Sequence, residues 1–172
     1  MNCAHRSPTR GVVSTSAAAA LLVLSAAGCS FTGGSDGSLS LTVPKPNAET
    51  ASLCRALHKE LPKTVEGLER RTPEPASELT AAWGDPAIKL RCGVAKPADL
   101  TPGTEHYNPY APSAEVNGVE WLPEQLDDGY RFTTVLRKAY VEVTVPGKYA
   151  PEVNPLTDLA NAVKKSVPEG VV

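Results

Sequence analysis

Four cysteines and three histidines are the residues of this 172-residue chain with the most distinctive chemistry. The cysteines are Cys3, Cys29, Cys54 and Cys92. Thiolates and imidazoles together suit a zinc ion, but a structural zinc site uses close ligand pairs such as CxxC or HxxxH. No such spacing occurs. Two cysteines left over in an oxidising compartment pair by default, and Cys54 and Cys92 are the two that lie well inside the chain. A bond closing a loop of that length contributes roughly 4 kcal/mol in the chain-entropy model. His58 stands among Lys59 and Glu60, as on a solvated helix face, and His106 stands beside Glu105 and Tyr107. SxxK, HExxH and GxGxxG are missing from the sequence, and GxSxG occurs only as Gly33-Gly34-Ser35-Asp36-Gly37 in a Gly/Ser-rich stretch with no strand before it or helix after it, so it makes no nucleophile elbow. We therefore expect no catalytic residue, no metal and no cofactor.

Cys29 has a different setting. Arg6 and Arg10 precede an uncharged stretch built around "AAAALLVLSAA", and Gly28-Cys29 follows it. A basic start, an apolar middle and a small-residue exit make a secretory signal peptide. The apolar run is shorter than the ~20 residues a spanning helix needs. Ala26-Ala27-Gly28-Cys29 resembles the lipobox of bacterial lipoproteins, although leucine is the usual residue where Ala26 stands. That resemblance implies that Cys29 carries diacylglycerol and becomes the new N-terminus. The alternative is an ordinary secreted protein cut nearby. "SFTGGSDGS", Ser30 to Ser38, has the composition of a flexible tether. The expected organisation is a signal peptide over 1–28, a tether over 29–38 and a single domain over 39–172.

The remaining candidates are surface features. Trp83-Gly84-Asp85-Pro86 marks a turn with a large ring beside it. Trp83 is either a core plug or a platform for a ligand. Arg70, Arg71, Lys89 and Arg91 could form a basic patch on an outer sheet face, with solvated charge as the alternative. Such a patch would touch lipid headgroups or an anionic wall polymer. Lys96 to Glu115 is a long stretch with four prolines and no periodicity. Loops of that length are often functional, so His106, Tyr107 and Tyr110 join the candidate surface. The net charge of −2 and the lack of a basic stripe exclude nucleic acid as the expected partner.

Elements that could position these residues follow from periodicity. "SLSLTV" alternates and predicts an edge strand before Pro44. Asn47 can cap a helix to about Leu61, with Leu53, Leu57 and Leu61 on one stripe beside Cys54. Thr64 to Arg71 predicts one strand. Ile88, Leu90 and Cys92 alternate with Lys89 and Arg91, so Cys92 points inward. Val119 and Trp121 alternate with polar neighbours, and Asp128-Gly129 suits a hairpin. Tyr130, Phe132 and Thr134 share a face, Arg137-Lys138 turns the next hairpin, and Val141, Val143 and Val145 share another face. Asn154 and Pro155 open a last helix, with Leu156, Leu159, Ala160 and Val163 as its stripe. The expected fold is α+β, a two-layer sandwich. It has an antiparallel sheet of about five to six strands and two helices on one face.

"LCRALHKELPKTVEGLERR", "AAWGDPAIKLRCGV" and "VNGVEWLPEQLDDGYRFTTVLRKAYVEVTVP" together resemble an uncharacterised actinobacterial family, the domain of unknown function numbered 3515. The resemblance covers roughly Ser40 to Pro168. It implies an envelope location, a signal or lipoprotein segment at the start, and a smaller, glycine-like turn where Val135-Leu136 stands. It carries over no activity and no catalytic residues. The expectation is a lipid-anchored protein on the extracytoplasmic side of the cell membrane. It would serve as a non-catalytic binding or assembly module for another envelope protein or a wall component. Two further readings stay open. One is a small wall-acting hydrolase or transferase with its site near His106 and the Tyr107/Tyr110 loop. The other is a secreted domain that binds a small ligand at its Trp83 end.

Overall fold

The computed structural model describes residues 39–170, all within one compact unit. The expected signal peptide, Cys29 and the expected tether lie outside the described residues. Among the described residues no helix is long and apolar enough to cross a membrane.

Helix α1 spans Ala48–Glu60. The Asn47 side chain accepts the Thr50 N–H at 2.8 Å, which satisfies one of the free donors at the helix start. Pro62 follows Leu61, whose N–H closes the last turn on Leu57 O. Helix α2 spans Asn154–Ser166. Asn154, expected as its cap, is instead its first residue: the preceding turn sends the Asn154 N–H to Pro151 O at 3.0 Å, and Val153 is already helical. Asp158, one turn in, accepts the Glu66 N–H at 2.8 Å and ties α2 to the sheet.

The sheet has eight strands: β1 (Thr64–Val65), β2 (Leu68–Arg71), β3 (Thr80–Trp83), β4 (Ile88–Cys92), β5 (Ala114–Val116), β6 (Val119–Gln125), β7 (Tyr130–Thr134) and β8 (Val141–Val145). Their order is β1-β2-β3-β4-β8-β7-β6-β5, and every pairing is antiparallel. The sequence pattern predicts five to six. The expected strand before Pro44 is lost and three are gained: β3, which pairs ahead of the Gly84 turn, and two made by tight turns. Glu66-Gly67 (φ 50° and 72°) splits 64–71 into a hairpin, and Asn117-Gly118 (φ 50° and 77°) sets β5 beside β6. Two successive residues at positive φ make the turn that matches strand twist, and strands of two and three residues are too short to show alternation. The expected edge strand at 38–43 does not form. Ser40 makes a single parallel bridge to Glu74, with Leu41 N–H to Glu74 O at 3.0 Å.

Side-chain alternation sorts the sheet into two faces. Trp83, Ile88, Leu90, Cys92, Val141, Val143 and Val145 share one face and form the core with Cys54, Leu57, Leu156, Leu159 and Val163 of the helices. The Cys54–Cys92 disulfide fastens α1 to β4 across that core, with a Cα–Cα distance of 5.5 Å.

Polar residues run across the opposite face. Arg91 donates to Glu142 through Nε and Nη2, both at 2.8 Å. Arg131 lies 3.7 Å from Glu142 and 3.5 Å from Glu124. Arg137, expected to turn the hairpin before β8, is buried. It donates to Val167 O at 3.1 Å and Gly118 O at 2.8 Å. The β7–β8 turn lies against the end of α2, whose last carbonyls need donors, and Arg137 supplies one.

Candidate functional site

Trp83 is fully buried, and its Nε1 donates to Pro62 O at 3.2 Å. It is a core plug with no ring face open as a platform. The neighbouring turn is held down: Lys148 Nζ donates to Asp85 O at 3.1 Å and Tyr149 Oη to Pro86 O at 2.7 Å. Of the four cations expected to share a patch, Arg71, Lys89 and Arg91 stand on one face and Arg70 does not. Arg70 pairs opposite Trp83 and stands on the core-side face, with its guanidinium 5.9 Å from the Trp83 ring. Arg71 and Lys89 align with Ala82 on the other face. Arg71 Nη1 donates to Gly84 O at 3.0 Å and lies 3.6 Å from Asp85. Arg91 is neutralised by Glu142, and that hydrogen-bonded carboxylate outweighs burial and raises the Arg91 pKa.

His106, Tyr107 and Tyr110 are exposed, Tyr110 most of all at 89%. Their loop holds itself together through bonds such as Asn108 N–H to Asp99 O at 2.9 Å. None of the three lines the cavities described next.

Three cavities adjoin one another, sharing lining residues in turn, and the first reaches Asn47 and Thr50 at the start of α1. The first, about 510 Å³, lies between Pro44–Asn47 and Gly93–Lys96. It shares Lys96 and Tyr140 with a second of about 300 Å³, walled by Leu100, Pro112 and Leu122 under the long loop. The second shares Val135, Leu136, Arg137 and Gly170 with a third of about 420 Å³, which adds Glu115, Glu120 and Glu169. The groove thus has lysines at one end, short aliphatic walls in the middle and carboxylates at the other end. Leu136 stands on its rim at φ 56°, 64% exposed. A bulky residue held in the left-handed region and left open to solvent marks a strained position. The resemblance implied a glycine-like residue there, and the backbone conformation is one that glycine adopts freely.

A separate cavity of about 700 Å³ lies where α1, the end of β2 and the loop before β3 meet. His58, Arg70, Arg71, Ser77 and Glu78 line it. Burial lowers the His58 pKa, the Arg70 charge lowers it further, and Glu78 works the other way. The imidazole is therefore neutral near pH 7. His58 is half-buried rather than solvated, because it adjoins buried Leu57 and follows buried Cys54 by one helical turn. That spacing was the available signal for its position. Among the described residues, no group of three or more His, Cys, Asp or Glu side chains is arranged to hold a metal ion.

The fold and these cavities define an α+β domain with two helices, an open antiparallel sheet of eight strands and a groove of adjoining cavities. The chain belongs to a family described as "Protein of unknown function (DUF3515)", whose profile matches residues 13–172. No curated protein and no solved structure matches it.

Proposed function

We propose that this protein is an envelope lipoprotein, held at the outer face of the cytoplasmic membrane through Cys29. There its domain serves as a non-catalytic binding or assembly module. The observation that carries this reading is the groove of three adjoining cavities. Its form suits an extended polypeptide segment of another envelope protein. A peptide chain presents alternating small apolar and polar groups along its length. The lysine end is complementary to acidic side chains, and the carboxylate end to basic ones. Binding requires only that these contacts form, and the aliphatic middle supplies burial of apolar surface. Leu136, exposed and strained at the rim, is the residue such a partner would cover.

Two experiments test the two parts of the reading. Cell fractionation of the full chain carrying Cys29→Ser should move the protein from the membrane to the soluble fraction; unchanged retention refutes the anchor. A photo-crosslinking residue placed at Leu136 should capture one discrete protein partner in cells. The same probe at exposed Lys59 of α1, away from the groove, should not. Identical products from both positions refute the groove as the binding surface.

A further inference from the structure

The guanidinium of Arg70 has no hydrogen-bond acceptor and no ion-pair partner among the described residues. An arginine carries five N–H donors in a fixed fork, and Arg70 is half-buried in the wall of the largest cavity described above. Burial works against its charge, and no carboxylate compensates. The side chain is nonetheless held in place, lying over the Trp83 ring, which is itself fixed by burial and by its bond to Pro62 O. A donor fork placed over a fixed ring and left without an acceptor is available to a ligand.

We propose that this cavity, between α1, the end of β2 and the loop before β3, binds a phosphate group on the Arg70 guanidinium. Arg71 also borders the cavity, but its guanidinium is engaged with Gly84 O and Asp85. His58 is neutral and offers one ring N–H. Thr72 and Ser77 add hydroxyls to the lining, and exposed Glu78 is its single carboxylate. The five donors of the Arg70 guanidinium, with imidazole and hydroxyl donors beside them, outnumber what the two oxygens of a carboxylate can accept. They suit the three oxygens and higher charge of a phosphate. A volume of about 700 Å³ exceeds one ion and leaves room for an organic body carrying the phosphate. The site lies apart from the groove and does not depend on the anchor. A lipid headgroup and a soluble phosphorylated compound share this chemistry.

The test uses the full chain with Cys29→Ser, so that no acyl chain holds it to a membrane. Glycerol 3-phosphate is titrated while the His58 ring and Arg70 Nε signals are followed by NMR. In parallel, sedimentation with phosphatidylglycerol vesicles is compared with phosphatidylcholine vesicles. Saturable shifts, weakened at least tenfold by Arg70→Ala and by Arg70→Gln, support the site and assign a soluble phosphate. Sedimentation with phosphatidylglycerol alone, lost in both variants, supports it and assigns a lipid headgroup. Because the guanidinium bonds to nothing in the protein, both variants should melt within a few degrees of the parent. The proposal is overturned by an absence of response to either probe, by an equal response from the variants, or by an equal response to acetate.

Discussion

Removing the Cys54–Cys92 bond should lower the melting temperature by about 15 °C. The two cysteines are 38 residues apart. In the chain-entropy model, releasing a loop of that size restores about 4 kcal/mol of freedom to the unfolded chain. For a domain of this size each kcal/mol corresponds to roughly 4 °C in melting temperature. The double variant Cys54→Ala/Cys92→Ala also leaves a small void, since both sulfurs sit in the core at 1% exposure. That void adds on the order of 1 kcal/mol. Thermal unfolding by circular dichroism separates the two terms. Reduced parent protein loses only the loop constraint, and the alanine pair loses both. The bond encloses β1, β2 and β3 and joins the helix bearing His58 to the central strand β4. Amide exchange in β1–β3 should therefore rise more than in β6–β8. A drop below about 5 °C in both proteins would refute the reasoning and show that α1 is held to the sheet by packing alone.

Leu136→Gly should raise stability by about 1 kcal/mol in urea unfolding, because the left-handed conformation at φ 56° costs leucine roughly that much more than glycine. The same variant should weaken partner capture at the groove. Glu124→Gln should stabilise the protein at pH 7 by under ~1 kcal/mol, since the carboxylate is partly exposed and its charge screened. Burial raises the Glu124 pKa, Arg131 opposes this, and Asp99 and Glu142 reinforce it. The folded protein therefore binds this proton more readily than the unfolded chain, so its contribution falls as pH rises through that window. Urea midpoints at pH 5 and pH 7 should show the parent gaining on the variant towards pH 5; the reverse trend would refute the assignment. Gly129→Ala should cost more than ~1 kcal/mol. Gly129 sits at φ 86°, and a Cβ there would meet Val145 O and approach Gly147 N to 2.6 Å. A midpoint equal to the parent's would show that the β6–β7 turn can relax.

Local rules made much of this protein legible in its sequence. The stripe ending at Leu57 and Leu61 gave α1 its buried face, and alternation of Ile88, Leu90 and Cys92 with charged residues turned Cys92 inward. With Cys54 on the inner side of α1, the disulfide followed. The same alternation placed Trp121, Phe132 and the three valines of β8 in the core. These features need only the periodicity of one helix or one strand. Other features depend on what the chain meets at a distance. β1 and β5 are too short to carry a period, and they exist because a neighbouring strand accepts their hydrogen bonds. Arg137 looked like a turn residue until the end of α2 offered it Val167 O. Arg70 and Arg71 are adjacent in sequence, yet strand pleating sends their side chains to opposite faces, and only Arg70 lands over Trp83. His58 gains its neighbours from β2 and from the loop before β3. The sequence by itself determined which residues face the core and which cysteines pair, because burial pattern is a local property of each element. Tertiary structure decided which charges find partners and which, like Arg70, are left with none, because ion pairing depends on strand order and on loops brought together from distant parts of the chain.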